Sequence, residues 1–188
     1  MSEQVSGINP DGPRCGATGS GLERAEMAGK PSKFEASFVA RDLARTSALA
    51  ARIASGLERG DAVTLSGDLG AGKTTLARAI LRALGVAGAV PSPTFTLVQR
   101  YETSRLPVSH YDLYRIEQPS ELDELGLDEA LAEGAVLIEW PERAADRLPP
   151  DALQIEIEIS GETARRIAMS GPDRWAGLAN ETDVLNVG

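Results

Sequence analysis

The chain has 188 residues, a formal net charge of -9, 42% hydrophobic residues and one cysteine. That length suits one domain with a substantial core, the lone Cys15 excludes an internal disulfide, and no apolar run reaches the length of a membrane span. No basic stripe offsets the acidic charge, so unaided nucleic-acid binding is disfavoured and any link to RNA is expected to run through a partner.

Residues 1–33 are rich in Gly, Ser and Pro, carry no apolar periodicity and are expected to be a disordered extension. They lack the basic start and apolar stretch of a secretory signal, which together with the single thiol fits a cytoplasmic protein. Met27 offers an alternative start within them. Order is expected from Phe34, where Phe34, Ala36 and Phe38 alternate as in a short strand. Asp42 reads as the N-cap of a helix with Leu43, Ala50, Ile53, Ala54 and Leu57 on one face, ended by Gly60. Ala62 to Ser66 predicts a strand that feeds a glycine-rich turn. A helix follows from Lys73 to Leu84, with Leu76, Ile80 and Ala83 inward and Gly85 as its stop.

Phe95 to Tyr101 and Leu106 to Leu113 predict two strands around a turn. Pro119 to Glu133 reads as acidic and helical, with an interruption near Gly126. Ala135 to Ile138 is a continuous apolar run, as in a central strand covered on both faces. Leu153, Ile155, Ile157 and Ile159 alternate with Gln154, Glu156 and Glu158 in a half-exposed strand, and Thr163 to Ser170 returns as its hairpin partner. Residues 173–188 are expected to form a tail or a short helix around Trp175. The fold expected is α/β, a P-loop NTPase-like mixed sheet flanked by helices, over residues 34–172.

Gly67-Asp68-Leu69-Gly70-Ala71-Gly72-Lys73-Thr74 matches the G-x-x-x-x-G-K-[ST] loop in full, between a predicted strand and a predicted helix. Glycines let backbone N–H groups ring phosphate oxygens, and the helix beginning at Lys73 aims its positive end at the same charge. Lys73 is expected to reach the β- and γ-phosphates, and the Thr74 hydroxyl to ligate magnesium. The nucleotide contacts expected are therefore Asp68, Leu69, Gly70, Ala71 and Gly72, with Lys73, Thr74 and Thr75. An N-K-x-D guanine element is absent from the sequence, which favours ATP.

Ligands of open α/β sheets gather beyond the carboxyl ends of the strands. Glu139 ends the apolar strand and is the candidate acid on the magnesium side. Asp112 follows the strand through Val108, His110 and Tyr111. An ion bridging two phosphates needs only a hydroxyl and one or two carboxylates besides its waters. Trp140, next to Glu139, is placed either in the core or near the nucleotide. His110, the only histidine, rules out a multi-histidine metal site and reads as an ordinary strand residue. The acids from Glu121 to Glu129 read as a solvated helix face. Arg100, Arg105, Arg115 and Arg143 include no residue that spacing alone selects as a transition-state stabiliser.

Five segments in order, GDLGAGKTT from Gly67, SPTFTLV from Ser92, HYDLYR from His110, ELGLDE from Glu124 and IEWPER from Ile138, closely resemble the bacterial TsaE (YjeE) family. The resemblance spans roughly Phe34 to Ser170. It implies a small ATPase that assists threonylcarbamoylation of adenosine 37 in tRNA, acting with TsaD and TsaB while TsaC supplies threonylcarbamoyl-adenylate. It also implies that tRNA is met through that complex, and that ATP hydrolysis resets the complex between turnovers. Residue by residue, Lys73 and Thr74 match the phosphate and magnesium positions, and Glu139 the acid partner of the ion. Asp112 matches the second active-site acid, Thr94 lies in a switch-like segment, and Trp140 matches a tryptophan near the nucleotide. The start of the first helix, Asp42 to Thr46, would face the adenine. The N-terminal extension departs from the compact family pattern.

The reaction expected is hydrolysis of the β–γ bond by water, with Asp112 or Glu139 orienting the water. One rival is a small-molecule kinase, disfavoured because no arginine-rich lid is evident. Another is a non-catalytic module that uses ATP as a conformational ligand.

Overall fold

Hydrophobic periodicity and cap chemistry build the elements that carry the site. The computed structural model describes residues 33–144 and 147–179, so the disorder expected before residue 33 and the tail beyond 179 lie outside the described residues. The strands are β1 (Lys33–Ala40), β2 (Ala62–Ser66), β3 (Val98–Tyr101), β4 (Val108–Asp112), β5 (Ala135–Glu139), β6 (Leu153–Ile159) and β7 (Arg165–Pro172). They form one mixed sheet of seven strands in the order β1-β7-β6-β2-β5-β4-β3. The strands β6, β2, β5 and β4 run parallel to one another, while the pairings β1–β7, β7–β6 and β3–β4 are antiparallel. The sheet is thus the expected α/β architecture.

Helix α1 (Leu43–Gly56) starts where the Asp42 side chain accepts a hydrogen bond from the Arg45 N–H at 2.9 Å. Two details differ from expectation. Leu43 is 69% exposed, because the first turn overhangs a cleft, and Leu49 takes a core position instead. The helix also ends at Gly56, before Gly60, and the Arg105 guanidinium donates to the carbonyls of Ala54, Ser55 and Leu57 at its end. Helix α2 (Lys73–Ala83) buries Leu76, Ala77, Ile80 and Leu81, whereas Ala83 faces solvent. Both helices pack on one face of the sheet, against Val63 and Leu65 of β2, Leu137 of β5 and Ile155 and Ile157 of β6.

The opposite face of β5 and β4 is covered by a 3-10 segment, Pro119–Leu125, and by α3 (Leu127–Glu133), with Gly126 in the left-handed region between them. Leu122 and Leu127 meet Val136, Ile138 and Tyr111 there. The β5 run is buried throughout because both of its faces are covered. Pairing of β3 with β4 begins only at Val98, so Phe95 lies in a turn and is 83% exposed rather than in a strand. The β6 alternation holds until Ile159, which is 57% exposed where the hairpin leaves the core. Trp175, in the 3-10 segment Asp173–Leu178, joins the core beneath α1.

Candidate active site

The carboxyl ends of β2, β5 and β4 lie side by side, and each delivers part of one cleft. From β2 comes the loop of residues 67–72. Gly67 has φ +130°, and a Cβ there would lie 2.1 Å from the Ile157 carbonyl oxygen, so only glycine fits where the loop passes β6. Lys73 opens α2, and its Nζ donates to the carbonyls of Gly67 at 2.6 Å and Asp68 at 2.8 Å. The same ammonium lies 3.6 Å from the centre of the Trp140 ring. Burial lowers the Lys73 pKa from the usual lysine value, with Glu139, then Glu142, Asp112 and Asp68 pulling it back up.

Thr74 Oγ1 donates to Glu139 Oε2 at 2.8 Å. Across the cleft, Asp112 Oδ2 accepts from the hydroxyls of Thr94 at 2.7 Å and Ser92 at 3.2 Å. Asp112 and Glu139 are register partners, and both are almost fully buried. The structure therefore brings together Lys73, Thr74, Thr94, Asp112, Glu139 and Trp140, which with Leu69, Gly70, Gly72, Thr75, Ser92 and Tyr114 line a cleft of about 290 Å³. Asp68 and Ala71 belong to the loop but do not line this cleft; Asp68 contributes its carbonyl to Lys73 and Ala71 is buried. Trp140 packs partly against the core and also lines the cleft, where it tilts against Tyr114 with ring centroids 4.9 Å apart. Its backbone has φ +61°, an uncommon conformation for a bulky residue that Leu97 shares at φ +63°, its carbonyl accepting from the Asp112 N–H at 2.9 Å.

The Thr74–Glu139 oxygen pair is hard, its carboxylate is buried and it adjoins the glycine-rich loop of residues 67–72, a donor set of the kind that suits magnesium. Among the described residues no group of three or more His, Cys, Asp or Glu is arranged to hold a metal ion, so the site is no all-protein cage. It fits an ion that completes its shell with phosphate oxygens and water.

A second cleft of about 610 Å³ continues from the first, sharing Gly70, Gly72 and Thr75. Its walls are Asp42, Leu43, Ala44 and Thr46 at the start of α1, and Glu162, Thr163 and Arg165 of the β6–β7 hairpin. Arg165 Nε donates to the Ala71 carbonyl at 2.7 Å and so ties the hairpin to the loop. Sequence reading placed Arg165 only in a hairpin, because nothing in local spacing signals that this hairpin folds over residues 67–72.

The sequence profile of the family described as "Threonylcarbamoyl adenosine biosynthesis protein TsaE" matches residues 40–167. The chain belongs to the TsaE family. The TsaE protein of Bacillus subtilis (strain 168) is 42% identical over 138 residues, covering 72% of this chain and 86% of that protein. The Streptomyces coelicolor TsaE protein is 40% identical over 136 residues, or 68% of this chain and 92% of that one. Both carry the name of a tRNA threonylcarbamoyladenosine biosynthesis protein. The crystal structure of Bacillus subtilis YdiB superposes with a TM-score of 0.67 at 32% identity, covering 83% of this chain and 99% of that one. TsaE membership covers the whole site, since the loop at 67–74, Asp112, Glu139 and Arg165 all lie inside the matched region. Among the described residues of this TsaE chain, no helix is long and apolar enough to cross a membrane.

Proposed function

We propose that this TsaE-family chain binds magnesium-ATP and hydrolyses its β–γ bond as an accessory to threonylcarbamoylation of adenosine 37 in cytoplasmic tRNA, acting with TsaD and TsaB. The contact of Thr74 Oγ1 with Glu139 Oε2, beside the Lys73 ammonium and beneath a complete phosphate loop, is the observation that carries this reading. The smaller cleft takes the phosphates, and the larger one, walled by the start of α1, takes ribose and adenine. Thr74 and Glu139 would hold the magnesium ion, which when bound supplies charge neutralisation at the β- and γ-phosphate oxygens.

Lys73 leaves the carbonyls of Gly67 and Asp68 and transfers its charge to the phosphate oxygens. A water oxygen attacks the γ-phosphorus while the bond to the β,γ-bridging oxygen breaks, giving ADP and phosphate. Asp112 is held by two hydroxyls and faces the cleft, so it or Glu139 orients that water and takes its proton. Among the described residues no arginine lines the phosphate cleft. A supplied arginine contributes about a thousandfold or more in P-loop enzymes, which supports slow turnover alone and stimulation by the partners.

The deciding measurement is threonylcarbamoyladenosine formed over many turnovers by TsaD, TsaB and TsaC, with and without this chain. The expected result is a stall after the first turnover without it and continued product with it and ATP. Identical accumulation in both reactions would overturn the pathway assignment. The conformational-module reading draws on left-handed Trp140 at the cleft and left-handed Leu97, bonded to the Asp112 backbone. Glu139→Ala and Asp112→Ala separate it: variants that bind ATP yet fail to sustain modification require hydrolysis, and full support by both would favour the module.

A further inference from the structure

His110 is fully buried in β4, and its Nε2 lies 2.8 Å from Glu139 Oε1. Strand alternation explains the contact. Val108, His110 and Asp112 point to the face beneath α2, as do Ala135, Leu137 and Glu139 of the neighbouring β5. With Nε2 as the donor of this bond, Nδ1 is left as a buried atom with no partner among the described residues. A core position of this kind would be filled at lower cost by an apolar side chain, since an unpaired buried polar atom is unfavourable. The imidazole therefore serves something other than packing.

What it serves is the orientation of Glu139. One carboxylate oxygen is taken from inside the sheet by His110, and the other accepts from Thr74 Oγ1 at the cleft. We propose that His110 is a positioning residue that clamps Oε1 of Glu139, so that Oε2 stays turned toward Thr74 as the preset oxygen pair for the magnesium–phosphate group. This rests on the magnesium-ATP reading above. Outer partners that orient a ligating carboxylate are worth about ten- to a hundredfold in metal affinity.

The test compares ATP affinity of the full chain by titration calorimetry in magnesium and in EDTA, for wild type, His110→Leu and His110→Gln. Wild type is expected to bind ATP more tightly in magnesium. His110→Leu should lose about ten- to a hundredfold of that magnesium-dependent tightening while its affinity in EDTA stays unchanged. His110→Gln, whose amide N–H reaches a similar point, should keep most of it. If His110→Leu retains the full tightening, or if Gln and Leu lose it equally, the clamp is wrong. A wild type indifferent to magnesium would overturn the magnesium-ATP reading and the clamp with it. Because His110 is the only histidine, nitrogen NMR of the imidazole gives a second readout that needs no variant. A single Nε2-protonated ring whose signals shift when magnesium joins bound ATP is expected. A ring protonated at Nδ1 alone, or one blind to magnesium, overturns the proposal.

Discussion

Lys73 carries a charge that the ligand-free protein must hold in a desolvated place. It does so with two carbonyls and the face of Trp140, and burial depresses its pKa. Replacing it by Ala should remove turnover and weaken ATP binding by about ten- to a hundredfold, the value of one or two hydrogen bonds to a charged group, as titration calorimetry would show. In the proposed complex ATP would also draw the ammonium away from the ring. Tryptophan emission of a Trp175→Phe variant, which leaves Trp140 as the sole indole, should therefore change on ATP addition; no change would mean that Lys73 stays where it is. The Gly67→Ala substitution tests the loop itself. Its Cβ would strike the Ile157 carbonyl at a positive φ, so unfolding stability should fall by about 1–3 kcal/mol or more in a denaturant titration.

Among the elements, α1 is secured at both ends by groups of different origin. Its N-terminus is capped locally by Asp42, and its C-terminal carbonyls are met from far along the chain by Arg105. Since α1 walls the larger cleft, losing either cap should disturb nucleotide affinity as well as stability. Asp42→Ala is expected to cost about 1 kcal/mol, measured by chemical unfolding. Strand β4 carries a pH-dependent element. Tyr111 is buried on the α3 side, its hydroxyl donates to the Leu125 carbonyl at 3.1 Å, and burial, aided by Glu129, raises its pKa to about 12. A phenol whose folded pKa lies above its unfolded value near 10 keeps more proton in the folded state. Its contribution is complete below about pH 10 and is lost as pH rises toward about 12. Denaturant midpoints should fall across that window, and Tyr111→Phe should flatten the fall.

At the scale of the whole molecule, the site exists because β2, β5 and β4 are parallel neighbours that end at one edge. The antiparallel strands β1 and β7 extend the sheet behind α1, and the β6–β7 hairpin reaches over the loop to wall the larger cleft. The proposed ligand would therefore tie α1, α2, the hairpin and the β3–β4 side to one group. A ligand specific for the folded state at a hundred times its Kd adds about 2.7 kcal/mol. Magnesium-ATP should raise the thermal midpoint measurably, and the Lys73→Ala variant should show little of that rise.

Those elements were legible in the sequence to different depths. The loop at 67–74 sits within one strand-turn-helix, so its place follows from residue order, as does that of the acid at the end of an uninterrupted apolar strand. Asp42 as a cap and Gly126 as a break are likewise local matters of backbone geometry. Leu43, Ala83 and Ile159 were misplaced because periodicity cannot tell where a helix turn or strand end runs off the surface it covers. Arg105 on the end of α1, Arg165 on the loop and His110 against Glu139 were invisible for a related reason. Each contact joins residues that are 29 to 94 positions apart, and only the pairing order of the sheet brings them together. Sequence by itself determined the phosphate-loop motif and the α/β class, because both are written in neighbouring residues. Tertiary structure alone decided which distant side chains hold that chemistry in position, because hydrogen bonding depends on distance in space and not along the chain.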